Sequence, residues 1–380
     1  MIKIMRNIKY TFQNLSGNAV REIIAIAVIL CLSIALSIPA FIQDINKYRI
    51  SMSNVINDGW NTSTPEEQGM DSGKLSQVGT ALEQTDACSF IVVRHGFIVY
   101  ENYYNQSNKN DCNNIFSVTK SFISALIGIA IREGYIKSPE DKLELYLPGY
   151  FVDIKDPHWK DITKKHLLTM TPGFCEDLQK WTGSSDWVKA TLGLPLNYLP
   201  GEKFQYANSA SHLLSFVLTK ATGMSTYEFA DKYLFYPLGI RKKQWSTDPQ
   251  GNYTGYANLF LRPRDMAKFG YMYLRNGEWD IKQVVPKEWV EESTRVQFDF
   301  NTENQSGYEN GYGFKWWING ETGYHMFSAL GYGGQSINVI PELDLVVVIT
   351  SIPDRAMSID DKQRIEIIEQ KVITSIIDKN

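Results

Sequence analysis

Histidine is scarce in this chain and basic charge is not in excess. The five histidines, His95, His158, His166, His212 and His325, form no HExxH or HxH pair, so the sequence offers no spacing for a metal centre. Cysteine is rarer still. Cys31 lies inside an apolar run, and Cys88, Cys112 and Cys175 match no CxxC or zinc pattern. A Cys88–Cys112 bridge is compatible with an oxidising compartment and stays open. The net charge is −4, with Lys and Arg scattered singly, which excludes the basic footprint of a nucleic-acid partner. No Gly-x-Ser-x-Gly elbow occurs, and that removes the α/β-hydrolase arrangement. No cofactor is expected.

Apolar residues are plentiful. They make up 43% of the chain, with 13% aromatic, enough for a large packed core and too much for disorder. Lys3, Arg6, Lys9 and Arg21 precede an uncharged run from Ile23 to Ile42. A helix of that length spans about 30 Å, the thickness of a bilayer's hydrocarbon core. Residues 1–22 are therefore expected to be cytoplasmic and 23–42 a transmembrane anchor, with a long signal peptide as the alternative. Either sends the rest of the chain out of the cytoplasm, because the positive charges lie on the N-terminal side. Residues 43–64 turn polar and form a linker, and a folded domain is expected over 65–380.

Asp71-Ser72 would cap a short helix reaching Gln84. The segments Ser89–Val93 and Phe97–Tyr100, joined by His95-Gly96, predict a hairpin. The stretch Ser121–Gly134 is apolar nearly all round, so it is expected to be a buried central helix with Ser117 at its N-terminus. From Ser138 to Tyr312 the chain is expected to be mainly helical with long loops. Strands return at Tyr324–Leu330, Ser336–Ile340 and Leu345–Thr350, and a final helix starts near Ser358. Strands at both ends with helices between them predict an α+β fold: one antiparallel sheet built from both termini, flanking helices and a helical insertion.

A serine hydroxyl is a weak nucleophile until something takes its proton. Ser117 and Lys120 stand three apart at the start of a helix and share a face. Burial near a helix N-terminus disfavours the charged amine, so the pair offers nucleophile and base in one turn. The stretch from Asn114 to Phe122, Asn-Ile-Phe-Ser-Val-Thr-Lys-Ser-Phe, resembles the first motif of class C β-lactamases and their penicillin-binding, esterase and amidase relatives. A Tyr-x-Asn motif follows in that family some 90 residues later. Tyr206-Ala207-Asn208, approached through Pro200-Gly201, is the match; the same triplet at Tyr103, Tyr256 and Tyr308 lacks the position. The third motif is matched by Tyr332-Gly333-Gly334-Gln335. The phrases Leu261–Gly270 and Gly313–Trp317 resemble the 6-aminohexanoate-dimer hydrolase branch.

The resemblance implies roles for these residues. Ser117 would be acylated, and Tyr206 would share the base work with Lys120. Asn208 would position Lys120 or a substrate amide. The backbone N–H groups of Ser117 and Gln335 would form the oxyanion hole, with Tyr332, Gly333 and Gly334 along the substrate. Tyr332 stands where β-lactamases carry Lys and brings no charge for a substrate carboxylate. That favours small esters or amides over β-lactams and D-peptides. A penicillin-binding or D-peptidase enzyme is the alternative, and a catalytically silent sensor domain is a third reading. His212 and His325 could border the site, although for His212 a structural role is the stronger reading. Nothing in the sequence gives the oligomeric state.

Overall fold

The computed structural model describes residues 58–300, 310–319, 323–353 and 360–377. The chain divides into two units, 1–61 and 62–380, and the fold below is that of the second. The apolar run at 23–42 lies outside the described residues. Among the described residues no helix is long and apolar enough to cross a membrane.

Asp71 caps helix α1 (Ser72–Leu82), its carboxylate accepting from the Lys74 amide. Next come β1 (Ala87–Arg94), buried at every position, and β2 (Phe97–Tyr103). The turn between them puts His95 at φ 50° and Gly96 at φ 82°. Both left-handed, they suit the tight turns that match strand twist. Exposed His95 sits 3.2 Å from the Gln68 side chain.

The C-terminal third adds to this sheet β3 (Phe298–Asp299), β4 (Gly311–Tyr312), β5 (Trp317–Asn319), β6 (Met326–Gly331), β7 (Gln335–Ile340) and β8 (Leu345–Ser351). They pair antiparallel in the order β2-β1-β8-β7-β6-β5-β4-β3. β1 and β8 join the two ends of the domain, in register from Leu345 opposite Arg94 to Thr350 opposite Ser89. Both are Val- and Ile-rich because both faces of the sheet are covered.

One face packs against α1 and the C-terminal helix α5 (Asp361–Glu366), which continues through a wider stretch to Val372 and a tighter turn to Ser375. Leu75, Val78 and Leu82 meet Phe90, Val347, Ile368 and Val372 there. The other face carries α4 (Pro263–Leu274). At Gly270 a Cβ would meet Ile337 and Val346 side chains at 2.7 and 2.8 Å, so this glycine sets how closely α4 approaches the sheet. Behind α4 lies α2 (Thr119–Arg132), buried from Thr119 through Ala130, with Phe122 stacked on Phe269 at 3.7 Å between centroids. α3 (Asn208–Thr222) packs on α2 and is buried from Ser209 to Leu218.

The inserted region is mainly helical, and its strands Gln244–Trp245 and Leu259–Leu261 pair in a small sheet with Asn113–Asn114, which precedes α2. Strands of two or three residues leave no alternation to read. Among the described residues, Cys88 and Cys112 are not joined, so the open disulfide is absent.

Candidate active site

Ser117 lies in a 3-10 turn, Phe116–Val118, just ahead of α2 rather than within its first turn. That turn is held in an unusual shape. Phe116 has φ 46°, a left-handed conformation that costs a bulky residue about 1–3 kcal/mol and persists only where neighbours enforce it. The enforcing neighbour is Asn114. Its side-chain oxygen accepts from the Phe116 amide at 2.9 Å and the Asn258 amide at 3.2 Å, while its Nδ2 donates to the Asn258 side chain at 3.0 Å.

Lys120 is the second residue of α2 and is 1% exposed. Its Nζ lies 2.7 Å from Ser117 Oγ and donates to the Tyr256 carbonyl at 2.9 Å. Burial pulls this amine down to about 7, opposed only by the negative charge of Glu176. Around neutral pH the amine is therefore about half deprotonated. Its lone pair is then free to receive the Ser117 proton.

The Tyr206 ring centroid stands 5.0 Å from Lys120 Nζ. Tyr206 thus stands beside the same amine, 37% exposed and stacked on Trp317 at 5.9 Å. Of the adjacent tryptophans, Trp316 is core and half-buried Trp317 packs on Tyr206. Asn208 is brought near but not as expected. It opens α3, and its backbone amide donates to Glu176 at 2.6 Å, with Ser209 donating to the other carboxylate oxygen at 2.7 Å. Lys120 donates instead to Ser117 and to the Tyr256 carbonyl, which leaves for Asn208 the expected contact to a substrate amide.

The third motif is a turn. Tyr332, Gly333 and Gly334 link β6 to β7, and Gln335 already belongs to β7. Gly333 and Gly334 have φ 73° and 87°, so the turn itself requires glycine. A Cβ on Gly333 would also meet Pro353 at 2.7 Å. Making room for a substrate is not needed to explain either residue. Tyr332 is 59% exposed, its ring edge-on to Phe116 at 5.7 Å. The Gln335 side chain points away, bonded to the Ser351 carbonyl at 2.7 Å. The end of this hairpin presses on the nucleophile turn: a Cβ on Gly331 would lie 2.4 Å from the Ile115 carbonyl and 3.3 Å from the Ser117 nitrogen.

Two histidines leave the picture. His212 is buried, 3.1 Å from Asp248 and packed edge-on to Trp187, a structural pair. His325 precedes β6 at the end opposite Tyr332, about 20 Å away at 3.3 Å per strand residue. Sequence reasoning missed Glu176, Gly331 and Tyr256. The last sits in one of the Tyr-x-Asn triplets set aside for its position. Its carbonyl holds Lys120, and its Asn258 braces the nucleophile turn.

A beta-lactamase family profile matches residues 76–367. The chain belongs to the beta-lactamase family. It is 26% identical over 306 residues to the 6-aminohexanoate-dimer hydrolase of Paenarthrobacter ureafaciens, covering 74% of this chain and 76% of that one. Among solved structures it resembles the octameric penicillin-binding protein homologue from Pyrococcus abyssi, with a TM-score of 0.61 and 23% identity over 75% of this chain and 74% of that one. It also resembles EstCE1, a hydrolase with promiscuous acyltransferase activity, with a TM-score of 0.64 and 17% identity over 74% and 93% of the two chains. These two likenesses are of fold. Membership makes this beta-lactamase-family protein a serine hydrolase with an α+β architecture.

Proposed function

We propose that this beta-lactamase-family chain cleaves small esters or amides through an acyl-enzyme on Ser117, in the manner of the class C esterase and amidase branch. One observation carries the reading: the buried amine of Lys120, held near neutrality, 2.7 Å from the Ser117 hydroxyl. In acylation, Oγ forms a bond to the substrate carbonyl carbon as its proton passes to Lys120. Tyr206, beside that amine, returns a proton to the leaving oxygen or nitrogen as its bond to carbon breaks. Water then repeats the sequence and releases the acid. The developing oxyanion would sit between the backbone N–H groups of Ser117 and Gln335, where losing one donor typically costs roughly 10²–10³ in rate.

The substrate class follows from charge. Tyr332 offers a phenol at the cleft and no cation, so a substrate carboxylate has nothing to pair with at that position. Esters and amides without that group fit best. The apolar run at 23–42 supports single-pass anchoring, or secretion if it is cleaved, with the catalytic domain outside the cytoplasm.

Mass spectrometry after fluorophosphonate treatment is expected to place the label on Ser117. Ser117→Ala and Lys120→Ala are each expected to abolish ester turnover while the domain stays folded. Label on another residue, or undiminished turnover in Ser117→Ala, refutes the proposal. Rapid acylation by penicillin with slow release would instead move the assignment to a penicillin-binding enzyme. Acylation with no turnover of any substrate would point to a sensor.

A further inference from the structure

Behind the Tyr206 turn, two buried residues share an unusual bond. Lys315, 2% exposed, donates from Nζ to the sulfur of Met170 at 3.1 Å. A thioether is a weak acceptor, and a charged ammonium left with only that partner is costly to bury. Burial, with Lys120 as a like-charged neighbour, holds the Lys315 amine well below its ordinary range, against the pull of Glu176. A hydrocarbon side chain would pack there without that cost.

The backbones of the same two residues reach both halves of the site. Met170, with φ 59°, accepts from the Gln205 amide at its carbonyl, 2.7 Å, and from the Ala207 amide at its sulfur, 3.4 Å. Tyr206 is thus hung between two neighbours that both bond to Met170. Lys315, with φ 66°, donates from its amide to the Leu168 carbonyl at 3.2 Å. Its own carbonyl accepts from Ser121 Oγ at 2.7 Å, one residue past Lys120. Two left-handed non-glycine residues in one contact mark stored backbone strain of the kind that gathers at functional sites.

We propose that Lys315 and Met170 are positioning residues, a clamp that fixes Tyr206 relative to the helix bearing Ser117 and Lys120. The inference rests on the acyl-hydrolase reading for its effect on rate. Tyr206 works in proton transfer, so loosening the clamp removes an interaction made in the transition state and lowers kcat more than it changes KM.

The test is a double-mutant cycle of Lys315→Met, Met170→Leu and the double variant, read with a short-chain p-nitrophenyl ester and normalised to the folded fraction. Each single change is expected to lower kcat at least fivefold with KM within twofold. The double variant is expected to match Met170→Leu, which already removes the N–S link along with the Ala207 contact to sulfur. The amide resonances of Gln205, Tyr206 and Ala207 in ¹⁵N–¹H spectra are expected to shift in Lys315→Met whether or not any ester is turned over. Unmoved resonances, unchanged kcat or losses that multiply overturn the clamp. A wild-type protein that fails to label at Ser117 refutes the acyl-hydrolase reading, and the resonances still decide the clamp.

Discussion

Ser117 Oγ and Lys120 Nζ lie 2.7 Å apart, and the same nitrogen is tied at 2.9 Å to the carbonyl of Tyr256. The second bond aims the first. With one N–H committed to Tyr256, a neutral amine can turn its lone pair to the serine. A charged one would keep a proton between them and block attack. On the proposed acyl-hydrolase reading, protonation of this single buried amine gates the chemistry.

A pH profile should expose that gate. Lys120 is pulled down to about 7 by burial, so the active, neutral form grows as pH rises through that value. The rate of fluorophosphonate labelling at Ser117 is expected to climb along a single limb centred near 7. A rate that is flat between pH 5 and 9 would contradict it.

Stability should carry the same signature with the sign set by linkage. The folded-state amine titrates at about 7 against an ordinary value of 10.5, so between these values the unfolded chain binds the extra proton and stability rises with pH. Below about 7 both states are charged, and the full cost of burying the ammonium falls on the fold. Lys120→Met is expected to raise Tm, most below pH 7 and progressively less toward pH 10.5. Thermal unfolding at several pH values measures the gap, and a gap that widened with pH would reverse the assignment.

Glu176 opposes the burial of Lys120 by favouring its charged form. Glu176→Gln removes that charge and can keep one of the two amide contacts at the start of α3. The labelling limb is expected to move to lower pH, leaving the variant relatively more reactive in acid even if its maximal rate falls. A limb shifted upward would show that the carboxylate does not act on Lys120.

Gly331 packs the sheet closely against the nucleophile turn. In Gly331→Ala the new methyl would meet the Ile115 carbonyl at 2.4 Å, and relieving such an overlap typically costs about 1–3 kcal/mol. A lower midpoint in urea and slower labelling of Ser117 are both expected. Retention of both would mean that the turn has slack.

Much of this architecture could be read in advance, and the reasons differ by element. The helix Thr119–Arg132 betrays its central place because it is apolar on every side. The hairpin at Phe97 and the C-terminal strands show as short apolar runs bounded by turn residues. That Ser117, Lys120 and Tyr206 come together was legible through motif order. Glu176 was not, because its importance comes from two backbone amides thirty-odd residues later, and no local pattern marks such a contact. Tyr256 was passed over because it contributes its carbonyl, which every residue possesses. Gly331 matters for the side chain it lacks, and only the distance to Ile115 reveals it. His325, which could have bordered the site, stands far from Tyr332 because nearness in sequence becomes, along an extended strand, separation in space.

The pairing of β1 with β8 also sets a schedule for synthesis. Arg94 emerges from the ribosome long before Leu345, its opposite residue, so the Val- and Ile-rich edge of β1 waits without its inner neighbour through most of translation. Such an open edge recruits other nascent chains. Chains cut short of residue 345 should accumulate as aggregates rather than as a smaller folded species, and yield during expression should depend on chaperones that shelter that edge until the last strand arrives.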